Sequence, residues 1–429
     1  MKSIFVLVQV LVVLFLSLSC SESYDYSQAS LGLGLRDYSC TEAWIEVQIG
    51  SNDKTANIYI KKNDVIIQTV KVGESETLFY FDDLLPNTAY KFDAVTYEDG
   101  KEVKSNPVTF TTLDTTSHNF TWQTFEFGQH SSSTLYDVAI INENDIWAVG
   151  EIYMNDSYGN PDPTSYNAVH WNGQSWEIKK IAVTYNGNET IAPLKGIFVL
   201  PTGEIIFSSG LPYLPQVNGW KLYHLWDMGV LNQNDGSVDR IWGTSIDNLY
   251  FVGNNGTIIH YQNGSWKKIE SGTTSIINDA WGIINNQNKT IVYCAVSSFF
   301  VENDKKILKI VDGVVDSVSW GRDIRLYSAW TNNENFLYVC GEGVFVNKFG
   351  TWEQITLPAI TTNSIRGNDI NDVFAVGSLG TIFHFNGMDW NVISSFTQKE
   401  NYRVDFKNNI VAICGYYNGK GFVEIGRRN

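Results

Sequence analysis

Hydrophobic and polar residues alternate along the first part of the chain, in short runs separated by turn residues. Between Asp37 and Leu113 the runs read AWIEVQIG, NIYIKK, DVIIQTVKV, TLFYFDDL, YKFDAVTYEDGKEV and PVTFTTL. Alternation over short runs of this kind is typical of half-buried antiparallel strands. The pattern therefore predicts a β-sandwich over residues 38–113.

The chain after residue 120 repeats itself. WGTSIDNLYFVGNNGTIIHYQNGSWKKI (242–269) aligns without a gap with RGNDINDVFAVGSLGTIFHFNGMDWNVI (366–393), except that the hairpin glycine falls one place later in the first. Weaker copies begin near five further residues, namely Asp137, Lys195, Asp279, Ser328 and Tyr402. Each full copy contains four short strands over about 44 residues, the period of a β-propeller blade. We therefore predict seven blades.

The two ends of this array predict how the ring closes. The seventh copy stops at GFVEIGRRN and lacks the outer strand that begins with Trp in the other copies. A strand of that type, FTWQTFEF (120–127), precedes the first copy, and its Trp122 aligns with Trp176 and Trp266. We predict that residues 120–127 complete the last blade, so that the propeller covers residues 120–428 and leaves no open sheet edge.

Two resemblances agree with this all-β interpretation. LLPNTAYKFDAVTY (84–97) and SNPVTFTT (105–112) resemble the fibronectin type III family, with Tyr90 in the place of its corner tyrosine. The repeats resemble bacterial propeller families built on GTIxHxxGxW-type repeats, loosely related to the kelch and sialidase-like superfamilies. Together they imply a fibronectin type III-like sandwich followed by a seven-bladed propeller closed by an N-terminal strand. They imply no particular activity, because propellers serve as hydrolases, lyases and binding scaffolds.

The N-terminus predicts a lipid anchor. Residues 1–19 (MKSIFVLVQVLVVLFLSLS) form a signal peptide whose apolar run is too short to span a membrane. The following LSLSC resembles a bacterial lipoprotein signal with Cys20 as the lipidated residue, although Ser17 stands where leucine is usual. We expect residues 20–37 to be a lipidated tether, and the protein to lie in the cell envelope of a Gram-negative bacterium, at the outer membrane or cell surface. The alternative is a secreted protein in which Cys20 is incidental.

Composition narrows the possible partners. The chain has 30 Lys and Arg against 46 Asp and Glu, a net charge of −16, which argues against nucleic-acid binding. Cys294, Cys340 and Cys414 fall in repeat positions that hold small apolar residues elsewhere, so we predict buried thiols and no disulfide among them. No CxxC or HxxxH spacing occurs. We expect no cofactor and no metal.

Residues that recur from blade to blade are predicted to be structural. This applies to a histidine position, occupied by His170, His260 and His384 with His224 as a candidate fourth member. It also applies to tryptophans of the innermost strand, which we expect to pack between blades, namely Trp242, Trp281 and Trp330. No catalytic set of residues stands out, so we expect no enzymatic activity.

Residues that do not recur are the candidate ligand-binding residues. Three irregular segments, 151–167, 182–193 and 208–220, are predicted to be loops on one face beside the channel mouth, where binding residues concentrate. The candidates are the tyrosines of these segments and charged residues at the starts of inner strands, namely Tyr153, Tyr158, Tyr166, Tyr185, Tyr213, Asp137, Arg240, Asp279 and Arg403. Alternatively, the tyrosines only cap the blades and the charges only pair with one another.

These observations predict a monomeric envelope lipoprotein that binds a glycan or a protein partner with one propeller face, as an adhesion or binding scaffold. The alternative is a carbohydrate-active hydrolase or lyase with acidic residues at the channel mouth. Such an enzyme needs two carboxyl groups about 5 to 10 Å apart in an open pocket.

Overall fold

The computed structural model describes residues 30–49, 57–71, 76–98, 100–299, 301 and 303–429. The predicted signal peptide, Cys20 and the first part of the tether lie outside the described residues. The described part divides into two compact units. Its single helix is a 3-10 turn at Asn254–Gly256. No helix in these residues has the length and apolar character needed to cross a bilayer.

The first unit is built from two sheets. Its strands are β1 (Leu31–Tyr38), β2 (Ala43–Ile49), β3 (Asn57–Lys62), β4 (Val65–Lys71), β5 (Glu76–Phe81), β6 (Ala89–Glu98), β7 (Lys101–Lys104) and β8 (Val108–Thr111). One sheet has the order β1-β2-β5, and the other has the order β4-β3-β6-β7 with β8 also paired to β6. Phe81 of the first sheet meets Phe92 of the second, with ring centroids 4.9 Å apart. Tyr90 is buried near Phe110.

Strand β1 corrects the expected tether, which was predicted to run to residue 37. Leu31 and Leu33 are buried, whereas Gly32 and Gly34, which follow them, place no side chain on the opposite face. The sequence LGLGL therefore alternates in burial without alternating hydrophobic and polar side chains. For this reason the strand was missed, and regular structure begins before the expected boundary at residue 38.

The second unit contains seven four-stranded sheets. Blade 1 consists of β10 (Thr134–Asn142), β11 (Asp145–Ile152), β12 (Tyr166–Trp171) and β13 (Trp176–Lys179), and blade 2 consists of β16 (Gly196–Val199), β17 (Ile205–Ser208), β18 (Pro212–Gln216) and β19 (Gly219–Leu222). Blade 3 consists of β20 (Val238–Ser245), β21 (Asn248–Gly253), β22 (Ile258–Gln262) and β23 (Ser265–Ile269). Blade 4 consists of β24 (Ile277–Ile284), β25 (Thr290–Val296), β26 (Lys306–Val311) and β27 (Val314–Val318). Blade 5 consists of β28 (Leu326–Trp330), β29 (Phe336–Gly341), β30 (Gly343–Lys348) and β31 (Thr351–Gln354). Blade 6 consists of β32 (Thr362–Asp369), β33 (Asp372–Gly377), β34 (Thr381–Phe385) and β35 (Trp390–Ser394). Blade 7 consists of β36 (Glu400–Lys407), β37 (Ile410–Tyr417), β38 (Lys420–Arg428) and β9 (Phe120–Phe127).

Blade 7 confirms the predicted closure. Its strand order is β36-β37-β38-β9, so the N-terminal strand is the outer strand of the last blade. Trp122 pairs with Gly426 in this ladder. A Cβ atom at Gly426 would lie 2.9 Å from the Trp122 ring, so the indole lies directly over the glycine.

Blade 2 corrects the prediction of a loop at 208–220. That segment forms most of β18 and β19, and only Ser209–Leu211 connects β17 to β18. Pro212 opens β18, and Pro215 lies beyond the residues of β18 that pair with β17. Proline is tolerated where no ladder donor is needed, so its presence did not exclude a strand here. The long connection of this blade is instead 223–237, which carries the buried Leu225 and Leu231.

The connection between blades 1 and 2 also contains regular structure. Within residues 182–193, β14 (Val183–Tyr185) pairs with β15 (Asn188–Thr190). The turn residues Asn186 and Gly187 have φ of 50° and 79°. Positive φ at both central residues is what an Asn-Gly hairpin turn provides.

Candidate binding site in the propeller channel

Six inner strands carry a β-bulge at the same place near their start. The bulged residues are Tyr136, Asp239, Asn278, Tyr327, Asn363 and Tyr402. A bulge adds one residue to one strand and redirects a side chain. Five of the six, all except Asp239, line an opening of about 300 Å³ together with Arg240 and Arg403. We call this opening the tyrosine mouth.

The tyrosine mouth lies on the face that carries the irregular loop of blade 1. Thr134, at the start of inner strand β10, pairs with Glu151 near the end of β11. The loop at residues 153–165 follows β11 directly, so it leaves the blade on the same face. Lys195, from the connection between blades 1 and 2, lies 3.5 Å from the centroid of the Tyr136 ring.

Six charged side chains form a layer across the channel next to the tyrosine mouth. This charged layer comprises Asp137, Arg240, Asp279, Arg366, Arg403 and Asp405. Sequence reasoning found four of them and missed Arg366 and Asp405. Arg366 aligns with Trp242 in the gapless repeat alignment, so its departure from tryptophan was the signal that could have found it.

Asp279 and Arg366 form the strongest pair in the charged layer. Arg366 donates to both carboxylate oxygens of Asp279, at 2.8 and 3.0 Å, and the Ser328 hydroxyl also donates to Asp279. The guanidinium lies 4.5 Å from the centroid of the Trp281 ring. Asp279 is only 1 % exposed. Burial would raise the pKa of Asp279, but the charge and hydrogen bonds of Arg366 hold it below its usual value.

The other two acids of the layer accept hydrogen bonds from backbone groups. Asp137 accepts from the Ile197 N–H at 3.2 Å and lies 3.4 Å from Arg240. Asp405 accepts from the Ile140 N–H at 2.7 Å. Burial raises the pKa of both carboxyl groups, and the charge of Arg240 offsets part of this effect at Asp137.

Arg403 differs from the other two arginines. Its terminal nitrogens donate to the backbone carbonyls of Asn363 (2.7 Å) and Asn278 (2.8 Å), and its Nε has no partner. Among the described residues, no carboxylate lies within ion-pair distance of this guanidinium, although it is only 6 % exposed. Burial and the neighbouring charge of Arg240 lower the pKa of Arg403 to about 10. The side chain is therefore a buried cation that makes no direct ion pair, although the charges of Asp279 and Asp137 partly offset the lowering of its pKa.

A cavity of about 570 Å³ lies on the other side of the charged layer. It extends to the distal ends of the inner strands, and its walls include Ile197, Phe198, Trp242, Trp281 and Phe406. The charged layer therefore forms the polar part of this cavity, and its Arg240 and Arg403 also line the tyrosine mouth.

The inner-strand tryptophans pack between blades, as predicted. A Cβ atom at Gly282 would lie 2.8 Å from the Trp242 ring of the preceding blade, and one at Gly367 would lie 2.7 Å from the Trp330 ring. Trp281 donates its indole N–H to the Thr331 carbonyl of the next blade at 2.9 Å.

The recurring histidines have the predicted structural role. In each case Nε2 lies 2.8 to 2.9 Å from a side-chain oxygen at the start of the second strand, and the imidazole stacks on the aromatic residue two positions further along. The sets are His170 with Asp145 and Trp147, His260 with Asn248 and Tyr250, and His384 with Asp372 and Phe374. His224 does not belong to this group, because it follows β19 and stacks on Tyr185.

The blade 6 histidine has an additional neighbour that sequence reasoning did not find. Nδ1 of His384 lies 2.7 Å from Nδ1 of His118, which precedes the ring-closing strand. Asp372 also accepts hydrogen bonds from Arg428, at the end of β38, and from Thr116. A buried polar network therefore joins blade 6 to the closing strands of blade 7.

The five predicted tyrosines do not line the tyrosine mouth. Tyr213 is 1 % exposed within β18, so its prediction as a binding residue is wrong. Tyr166 packs under Lys180, and Tyr153 donates to Glu151. Tyr185 donates to Asp227, whereas Tyr158 is 88 % exposed.

The residues that do line the mouth occupy one place in the repeat. Tyr136 and Tyr402 immediately precede the predicted Asp137 and Arg403, and Tyr327 occupies the equivalent place in blade 5. The alternation of a regular strand places neighbouring residues on opposite faces. Only the bulge brings such a pair to one opening.

The cysteines and the candidate metal ligands add no further site among the described residues. Cys40, Cys294, Cys340 and Cys414 are buried free thiols, which agrees with the prediction for the three cysteines of the repeats. In the part of the chain that the structure describes, no cluster of three or more His, Cys, Asp or Glu side chains is arranged to hold a metal ion.

Strand order and ring closure define the class of protein, a seven-bladed β-propeller. Among solved structures, YCF48 bound to D1 peptide is similar, with a TM-score of 0.51 at 14 % identity over 73 % of this chain and 99 % of that one. YCF48 from Cyanidioschyzon merolae has a TM-score of 0.45 at 12 % identity, over 72 % of this chain and 98 % of that one. BamB from Moraxella catarrhalis has a TM-score of 0.37 at 11 % identity, over 68 % of this chain and 83 % of that one. No protein-family description and no curated protein matches the chain.

Proposed function

We propose that this protein is a non-enzymatic lipoprotein of the bacterial cell envelope whose propeller binds a segment of a protein partner at the tyrosine mouth. The observation that carries the proposal is the bulge, which recurs in six blades and brings Tyr136, Tyr327 and Tyr402 to one opening. Tyrosine offers a large contact area and a hydrogen-bonding group while losing little conformational freedom. These properties suit an extended peptide.

The solved complex of YCF48 with a D1 peptide supports the proposal by analogy of fold, since it is a propeller of similar architecture bound to a peptide. Asn278 and Asn363 line the same opening, and their amide N–H groups donate to the backbone carbonyls of Leu326 and Asn401. The phenol groups of the tyrosines, which can both donate and accept, match the donors and acceptors of a peptide backbone.

The contacts of the acids favour binding over hydrolysis. Asp279 is paired with Arg366 through both oxygens, and Asp405 accepts hydrogen bonds from two backbone N–H groups. A general acid or base needs a carboxyl group that can reach the proton it transfers. Carboxylates held in this way serve the rigidity of the channel.

The other parts of the chain would serve presentation. Cys20 would carry the lipid, and the two-sheet unit that begins at β1 would act as a fibronectin type III-like spacer between the lipid and the propeller. Incorporation of a labelled fatty acid into the protein, and its loss in Cys20→Ser, tests the anchor. Label retained in Cys20→Ser would contradict it.

Site-specific crosslinking tests the binding face. A photo-crosslinking residue replaces Tyr327 at the tyrosine mouth or, in a matched variant, the exposed Ile284 at the far end of an inner strand. Irradiation of native envelopes is expected to give a protein crosslink from position 327 and none from position 284. The crosslink should be lost with Tyr136→Ala and Tyr402→Ala together and kept with Tyr158→Ala. Equal amounts of crosslinked protein from positions 327 and 284 would overturn the proposal. So would the absence of a protein crosslink together with glycan binding that the two tyrosine substitutions abolish.

A further inference from the structure

The three arginines of the charged layer are not equally satisfied. Arg366 has the carboxylate of Asp279, and Arg240 lies 3.4 Å from Asp137. Arg403 has two backbone carbonyls and an unpartnered Nε–H. A buried charged group without a counter-charge is costly, and a buried donor without an acceptor adds to that cost.

The Arg403 guanidinium, whose Nε–H has no partner, lies beside an entrance. Arg403 and Arg240 line the tyrosine mouth with Tyr136, Tyr327 and Tyr402. A ligand that enters between the tyrosines therefore meets Arg403, and Arg240 is its cationic neighbour. The like charge of Arg240 is one reason why the pKa of Arg403 is lowered, and an anion placed between the two would remove that repulsion.

We propose that Arg403, with Arg240, binds a carboxylate group of the partner that enters through the tyrosine mouth. The proposal rests on the proposed function and names the chemistry that the partner presents. A carboxylate offers the acceptor that the Arg403 Nε–H lacks, and it adds only one negative charge to a layer of three arginines and three aspartates. A phosphate group would bring a charge of about −1.5 to −2 next to Asp137, which is less favourable.

Two sources of a carboxylate are possible, an acidic side chain and the C-terminus of a polypeptide. Both present two oxygens to a guanidinium, which is well suited to them. N-acetylaspartate N-methylamide presents the side-chain form alone, and N-acetylglycine presents the terminal form alone. The ligand that binds more tightly identifies the source.

The test measures thermal unfolding of the full-length protein without its signal peptide, with acetate as the probe. Acetamide, a neutral molecule of the same shape, is the control at matched ionic strength. Because a ligand that binds only the folded state raises its stability, saturating acetate is expected to raise the midpoint by about 2 °C or more, and acetamide is not. Arg403→Gln and Arg403→Lys are expected to abolish the acetate shift, whereas Arg322→Gln, an arginine outside the channel, keeps it.

A second measurement needs no variant, in case the Arg403 variants do not fold. A crystal structure of the wild-type protein grown with N-acetylaspartate N-methylamide is expected to show its carboxylate within hydrogen-bond distance of Arg403 Nε. Equal shifts with acetate and acetamide, a shift that persists in a folded Arg403 variant, or water at Nε in the presence of the probe would each overturn the inference. A protein crosslink at position 327 without carboxylate binding would leave the proposed function standing and remove only this inference.

Discussion

Blades 3 and 6 are the two most similar copies in sequence, and they differ where the channel needs them to differ. Both have a bulged inner strand and a histidine stacked on an aromatic residue. At the equivalent inner-strand position, however, Trp242 of blade 3 packs on Gly282, whereas Arg366 of blade 6 crosses to Asp279. The repeat thus specifies a backbone, and departures from it specify the interior of the channel.

The histidines of the same two blades show a second difference. His260 bonds to Asn248, which is neutral. His384 bonds to Asp372, which also binds Arg428, and lies against His118. One position of the repeat therefore serves a local contact in blade 3 and a network across the ring closure in blade 6.

The largest effect is expected when the Asp279–Arg366 pair is broken. Arg366→Met leaves a buried carboxylate without its partner and should lower the free energy of unfolding by about 3–5 kcal/mol, measured by urea denaturation. The double variant Arg366→Met, Asp279→Leu should lose much less than this. Lys420→Met, which breaks the exposed pair with Glu126, is the control and should cost about 0–1 kcal/mol. If the double variant were as unstable as Arg366→Met alone, the loss of stability would not come from the unpaired Asp279 carboxylate.

The next effect tests the packing of Trp242 in blade 3. Gly282→Ala places a Cβ atom 2.8 Å from that ring and 2.5 Å from the Ile291 carbonyl oxygen, and should cost about 1–3 kcal/mol in the same assay. In a Trp242→Phe background the smaller ring leaves room, so the added cost of Gly282→Ala should shrink. Equal costs in both backgrounds would show that the ring and the glycine do not oppose each other.

The third effect is a pH dependence that arises from both histidines. Burial lowers the pKa of His384 and of His260 below the ordinary value of 6.5, with a favourable contribution of Asp372 only partly offsetting this at His384. The unfolded chain therefore binds protons more readily, and the free energy of unfolding should fall as the pH drops below about 6.5. His384→Gln should remove its share of that slope, measured by urea denaturation between about pH 8 and pH 5. A slope that is unchanged in both His384→Gln and His260→Gln would contradict the assignment.

The smallest effect is expected at the tyrosine mouth. Tyr327→Ala removes a partly exposed side chain that fills no core, so the free energy of unfolding should change by less than about 0.5 kcal/mol. A loss comparable to that of Gly282→Ala would mean that Tyr327 stabilises the ring. It would then be a weaker candidate for a binding residue.

The sequence predicted the blades and their closure because the information is repeated. Trp122 could be assigned to the last blade since four other outer strands begin in the same way. Strand β18 was missed because Pro212 and Pro215 resemble loop residues unless their position in the ladder is known. Strand β1 was missed because glycine gives no polarity signal.

The channel could be predicted only in part. Asp137, Arg240, Asp279 and Arg403 were recognised as charged residues on inner strands, but their partners depend on distances across the ring. Arg366 and Asp279 are 87 positions apart in sequence and 2.8 Å apart in space. The tyrosine mouth depends on a bulge, which changes the side-chain direction without a distinctive residue type.

Blade 7 can be completed only after both ends of the propeller have been synthesised, because its outer strand is β9. Glu126 of β9 and its partner Lys420 are separated by 294 positions. At about 5–20 residues per second, a ribosome needs about 15 to 60 s to produce the second after the first. During that interval β9 has no partner strand for its backbone donors and acceptors, while blades 1 to 6 can already assemble. A chaperone that shields this one short aromatic strand would therefore keep the incomplete ring from pairing with a neighbouring chain.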